Sequence, residues 1–96
     1  MVKIAIEYQG DLRCRAIHAP SASQLTTDAP IDNHGKGEKF SPTDLIATAL
    51  GTCIATIMGV YAQTNAIELT GMQLTVSKHM LANPRRIGKL EVEIEM

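Results

Sequence analysis

SPTDLIATALGTCIATIMGVYAQTN, residues 41–65, is the stretch around which the rest of the chain is arranged. Residues 45–62 carry no charge, and no other run in the 96 residues is apolar for as long. The spacing predicts one buried helix. Ser41 is a suitable N-cap, Pro42 fits the first helical position because its missing N–H would have no partner there anyway, and Asp44 sits near the positive end of the helix dipole. Asn65, which tolerates the left-handed conformation, is the expected stop. Two stripes run along this helix. Ala47, Gly51, Ala55 and Gly59 recur every four residues as a ridge of small side chains that invites a close neighbour. Ile46, Leu50, Cys53, Ile57 and Tyr61 form a bulky apolar stripe on a face roughly opposite, with Cys53 as its one reactive group.

Working outward, residues 2–7 alternate apolar and polar as a half-buried strand does, Gln9-Gly-Asp11 reads as a turn, and residues 12–18 continue as the partner strand of a hairpin. In that strand Leu12, Cys14, Ala16 and His18 fall on one face and Arg13, Arg15 and Ile17 on the other. Residues 24–28 form a third short strand that Pro30 stops. The polar loop 32–39 leads into the helix; its Gly35-Lys-Gly37 lacks the ending and spacing of a phosphate-binding P-loop, so a mobile loop or a rim beside Cys53 is the better expectation. Beyond the helix, Met72, Leu74 and Val76 mark a strand to about Met80, residues 82–85 a turn, and Leu90, Val92, Ile94 and Met96 a last strand whose other face carries Glu91, Glu93 and Glu95. The fold class is α+β, in the order β-β-β-α-β-β, with an antiparallel sheet around a long central helix.

Nine basic residues against ten acidic ones leave no electrostatic case for nucleic acid or an anionic membrane. The uncharged helix is just long enough to raise a membrane span, but its Ala, Thr and Gly content argues against one. With no basic segment followed by an apolar block at the start, a cytoplasmic location is expected. The two cysteines then read as free or redox-active thiols. The three histidines, far apart in sequence, do not suggest a metal site.

The run from Phe40 through Ser-Pro-Thr-Asp-Leu-Ile-Ala-Thr-Ala-Leu-Gly-Thr to Cys53 resembles the helix signature of the OsmC/Ohr family, the osmotically induced and organic-hydroperoxide-resistance proteins. Thr27-Asp-Ala-Pro-Ile-Asp-Asn-His-Gly-Lys-Gly37 and Pro84-Arg-Arg-Ile87 are similar to a bacterial branch of it. The resemblance implies a thiol peroxidase in which Cys53 attacks a hydroperoxide, an arginine of the N-terminal hairpin stabilises the thiolate and the leaving oxygen, and a carboxylate just after the helix-starting proline orients that arginine. Arg13 and Arg15 are the candidates, Arg15 being preferred. The usual glutamate position is Thr43, with Asp44 one residue on, a rotation of about 100°. No metal or flavin is required; the partners are a small-molecule hydroperoxide, a thiol reductant and a second copy in a homodimer that completes the core.

Residues 1–96 are expected to form a single domain of this family without its C-terminal half, where a second helix and a resolving cysteine lie. Cys14 is a substitute resolving thiol if it faces the helix. The bland alternatives are that Cys53 is a small buried core residue and Cys14 an ordinary strand residue. A non-catalytic remnant, or a homodimer that binds a small ligand beside Cys53, is the corresponding alternative function.

Overall fold

The computed structural model describes residues 1–96. Its elements are β1 (Ile4–Gly10), β2 (Arg13–His18), β3 (Ser23–Asp28), a 3-10 turn (Ile31–Asn33), α1 (Pro42–Thr64), β4 (Gln73–Leu81) and β5 (Arg86–Glu95). The expected order holds, although the strands fall into two antiparallel sheets, β1-β2-β3 and β4-β5, rather than one. The chain divides into two units, Met1–Thr43 and Asp44–Met96.

In the first unit the hairpin turns at Asp11 and Leu12, not at the expected Gln9-Gly-Asp11. Both turn residues adopt positive φ, 54° and 62°, the geometry whose twist matches that of the flanking strands. Gly10 is still in β1, where the register breaks between Tyr8 and Gly10. The register then sets Glu7 opposite Arg15 and Tyr8 opposite Cys14. Across the other edge Arg13 meets Asp28 and Cys14 meets Thr27. The half-buried reading of β1 is corrected: Ile4, Ile6 and Tyr8 are exposed, Ile6 at 70%.

The loop after β3 closes on itself. Pro30 O accepts the N–H groups of Asn33 and Gly35 at 2.9 and 3.0 Å, Ala29 O accepts that of Gly37 at 3.2 Å, and Asp28 N–H donates to Phe40 O at 3.1 Å. Gly35 is there for close approach, since a Cβ would fall 1.8 Å from Ala29 O. Where the sequence suggests a mobile loop, a hydrogen-bonded one is found.

In the second unit the small-residue ridge does receive a neighbour. Ala47 and Gly51 are buried, and a Cβ on Gly51 would stand 2.9 Å from Val76 Cγ2 on β4. Asp44, in the first turn, pairs with Lys78 Nζ at 2.7 Å. Along β4, Leu74, Val76, Lys78 and Met80 alternate with exposed neighbours, as the period of two requires. Strand β5 begins at Arg86, ahead of Leu90 where the alternation starts, and its Glu91, Glu93 and Glu95 are exposed. Arg86 Nη1 donates to Ala82 O and Pro84 O at 3.1 and 2.8 Å, so it holds the turn.

The helix ends at Thr64, and its left-handed cap falls one residue beyond the expected stop. Ala66, not Asn65, takes the left-handed conformation at φ 55°, and Ile67 N–H bonds to Ala62 O at 2.8 Å, the reach of a Schellman cap. Asn65 contributes through its side chain, whose Nδ2 donates to Tyr61 O at 2.9 Å. The larger correction concerns burial. Ile46, Leu50, Cys53, Ile57 and Tyr61 are all exposed, and the buried apolar side chains of the chain are Ala47 and Ala62. By length and composition the helix could cross a membrane, a test that the core helices of soluble proteins also pass.

Candidate active site

Cys53 lies on the bulky stripe of α1, one turn from Leu50 and from Ile57, with its thiol open to solvent. The expected burial is therefore corrected, and a small peroxide can reach the sulfur directly. The helix has run 11 residues from Pro42 to this point, about 16 Å at 1.5 Å per residue, beyond the reach of the N-terminal dipole. Activation of a thiolate here calls for a cation.

The two candidate arginines share one face of β2, with Cys14 on the opposite face, because successive strand residues alternate. Arg13 points Nη2 at two carboxylates, Asp28 Oδ2 at 3.4 Å and Glu38 Oε1. Its side chain is 27% exposed. Asp28 is wholly buried; its Oδ2 also accepts the Glu38 backbone N–H at 3.1 Å, while Oδ1 is buried with no hydrogen-bond partner. Arg15 is held more loosely, with Nη2 at 3.5 Å from Glu7 Oε1 and a buried Nε that has no partner.

The remaining candidates lie elsewhere. Asp44 is engaged by Lys78. Cys14 is half-buried, a free thiol between Tyr8 and Thr27 in the strand register. His18 Nδ1 is 2.6 Å from Ser21 Oγ, and His79 Nε2 is 2.7 Å from Glu91 Oε1. No three of the His, Cys, Asp and Glu side chains come together as metal ligands. On the C-terminal half of the helix an open groove of about 360 Å³ is lined by Ala55, Gly59, Ala62, Ile67, Leu69 and Met72.

Three residues at the heart of these contacts, Asp28, Glu38 and Lys78, are not singled out by the sequence reading. A signal for Asp28 was available: it ends β3 just ahead of Ala29-Pro30, and counting the hairpin back places it opposite Arg13. Glu38 and Lys78 carry no such signal, since their partners are fixed by the loop path and by how the helix crosses β4.

The family model of OsmC-like proteins matches residues 35–96. A comparison with curated proteins found no match. Among solved structures, the chain is similar to a protein from Psychrobacter arcticus described as an osmotic stress induced and detoxification response protein. The two are 48% identical and superpose with a TM-score of 0.93 over 98% of this chain and 69% of that one. The signature read at residues 40–53, the β-β-β-α-β-β order and these two matches agree, and the chain belongs to the OsmC-like protein family.

Proposed function

We propose that this protein is a cysteine-based hydroperoxide reductase serving a stress and detoxification response. The observation that carries the reading is an exposed thiol, Cys53, on α1, within the run that resembles the family's helix signature. In the first half-reaction the Cys53 thiolate attacks the terminal oxygen of a hydroperoxide. An S–O bond forms as the O–O bond breaks, the hydroxyl stays on sulfur as a sulfenic acid, and the alkoxide leaves and takes up a proton as the alcohol. A thiol reductant then attacks the sulfenic sulfur, releases water and forms a mixed disulfide; a second thiol displaces Cys53 and leaves as the oxidised disulfide.

Of the two arginines that the family resemblance offers for stabilising the thiolate and the alkoxide, Arg13 is the more firmly held. Its guanidinium is held by two carboxylates through Nη2 alone, which leaves the Nη1 and Nε hydrogens for an oxyanion. Arg15, the preference from sequence, has one contact at 3.5 Å and a side chain 41% exposed. Asp44 serves the helix through Lys78 and its place near the dipole.

The working form is a homodimer in the cytoplasm. Ile46, Leu50, Ile57 and Tyr61 of α1 and Ile4, Ile6 and Tyr8 of β1 stand open. A second copy covers them. The open groove beside Gly59, which Gln63, Glu68 and Thr70 also line, favours a second reading, a module that binds a small ligand without chemistry.

Intact mass after brief exposure to one equivalent of cumene hydroperoxide with a sulfenic-acid trap separates the two. Wild type is expected to gain a fast adduct that Cys53→Ser lacks, with loss of peroxide consumption in that variant. A folded wild type that forms no adduct refutes the reductase.

A further inference from the structure

We propose that the groove on the C-terminal half of α1 binds a small organic cation, an alkylammonium whose apolar body lies along Ala55 and Gly59 and whose charged head meets Glu68. This rests on the reading of the groove as a small-ligand site and asks nothing of Cys53. The groove holds about 360 Å³, within the range of small-molecule pockets, and all the residues that line it belong to the second unit. Its floor is the small-residue ridge of the helix, Ala55, Gly59 and Ala62. A Cβ placed on Gly59 meets nothing within 4 Å, so the ridge that β4 approaches closely at Gly51 is open here. The wall beside it, from Ile67 to Met72, is held by its own backbone. Ile67 N–H donates to Ala62 O at 2.8 Å, and Met72 N–H to Leu69 O at 2.9 Å. A wall already fixed does not have to be ordered by the ligand, so less affinity is lost to conformational entropy on binding.

The electrostatics select the head group. Glu68 is the one charged side chain on the groove; Gln63 and Thr70 add neutral polar groups. The Thr70 side chain and the Thr70 N–H, the latter 2.8 Å from Oε1, hydrogen-bond to the Glu68 carboxylate, which fixes its direction and keeps it ionised at neutral pH. Through Ala62 and Gln63 the groove also borders the last turn of α1. The helix dipole is negative there, and no basic side chain in that turn offsets it. Glu95 adds a further negative charge, since it stands opposite Gln73, the neighbour of Met72 in the chain. An anionic ligand would be repelled by all three, and a neutral one would gain nothing from them. A cation with an apolar tail is served by both the rim and the floor.

Titration of the full chain with hexyltrimethylammonium, hexanol and hexanoate, followed by amide NMR shifts, tests the proposal. Hexyltrimethylammonium is expected to shift the amides of Ala55, Gly59 and Leu69 saturably, with hexanol binding about 5-fold more weakly and hexanoate more weakly still. Glu68→Gln should bring the cation down to the affinity of hexanol, and added salt should weaken the cation while leaving the alcohol unchanged. Gly59→Leu, which fills the floor, should abolish binding of both; if that variant does not fold, Gly59→Met carries the same test. Equal affinity for the three probes, or a Glu68→Gln protein that binds the cation as wild type does, would overturn the cation assignment and leave the groove a ligand site. The absence of saturable shifts with every probe would remove the ligand site and this inference together, while the reductase would stand.

Discussion

Two glycines on the same ridge of α1 should answer the same substitution with opposite signs. Replacing a helical glycine by alanine is worth about 1 kcal/mol where the site has room, through lower unfolded-state entropy and better helix propensity. At Gly59 a Cβ meets nothing within 4 Å, so Gly59→Ala should stabilise by about that amount. At Gly51 the same Cβ stands 2.9 Å from Val76 Cγ2. A β-branched side chain in a strand has little rotamer freedom to give way, and overpacking of this kind costs about 1–3 kcal/mol. Set against the gain of about 1 kcal/mol, the balance is a loss of about 1 kcal/mol, and Gly51→Ala should melt about 4–8 °C lower. Val76→Ala removes the obstructing methyl. In that background Gly51→Ala should turn stabilising, a coupling that only direct contact produces. Urea or thermal unfolding at one fixed protein concentration measures all five proteins. If Gly51→Ala stabilises as much as Gly59→Ala, or is unaffected by Val76→Ala, the close packing of α1 on β4 is wrong.

The homodimer predicts a dimer in sedimentation equilibrium, and a shift to monomer when Ile57, 64% exposed on the open stripe, is changed to Glu. A wild type that stays monomeric at every concentration refutes it. Near the start of the second unit's strands, the Thr70 side chain and the Thr70 N–H, the latter at 2.8 Å, hydrogen-bond to Glu68 and hold its carboxyl below its ordinary value. The folded state prefers the charged form, so whatever this contributes is present above the ordinary carboxylate range and lost as pH falls through the lowered value. An NMR titration of Glu68 should therefore move upward in Thr70→Val; identical curves would show that the hydroxyl plays no part.

Much of this protein was legible because local physics decides it. Ser41, Pro42 and Asp44 announce the start of α1; alternation announces β4 and β5; Pro30 marks the end of β3; and the run from Phe40 to Cys53 carries the resemblance to the family. The hairpin turn was misplaced by about two residues because Asp11 and Leu12 both take positive φ, which Leu adopts only when strand pairing demands it. Burial was misjudged for a different reason. Periodicity shows that Ile46, Leu50, Cys53, Ile57 and Tyr61 share a face, and it is silent on whether this chain itself covers that face. Composition likewise supplies Arg13, Arg15 and ten acidic residues without pairing them. The partners Asp28 and Glu38 for Arg13, and Lys78 for Asp44, are set by strand register, loop closure and the crossing of helix and strand. A period in sequence is a property of one element, but an ion pair or a buried face exists only when two elements meet, and that meeting is what the tertiary structure decides.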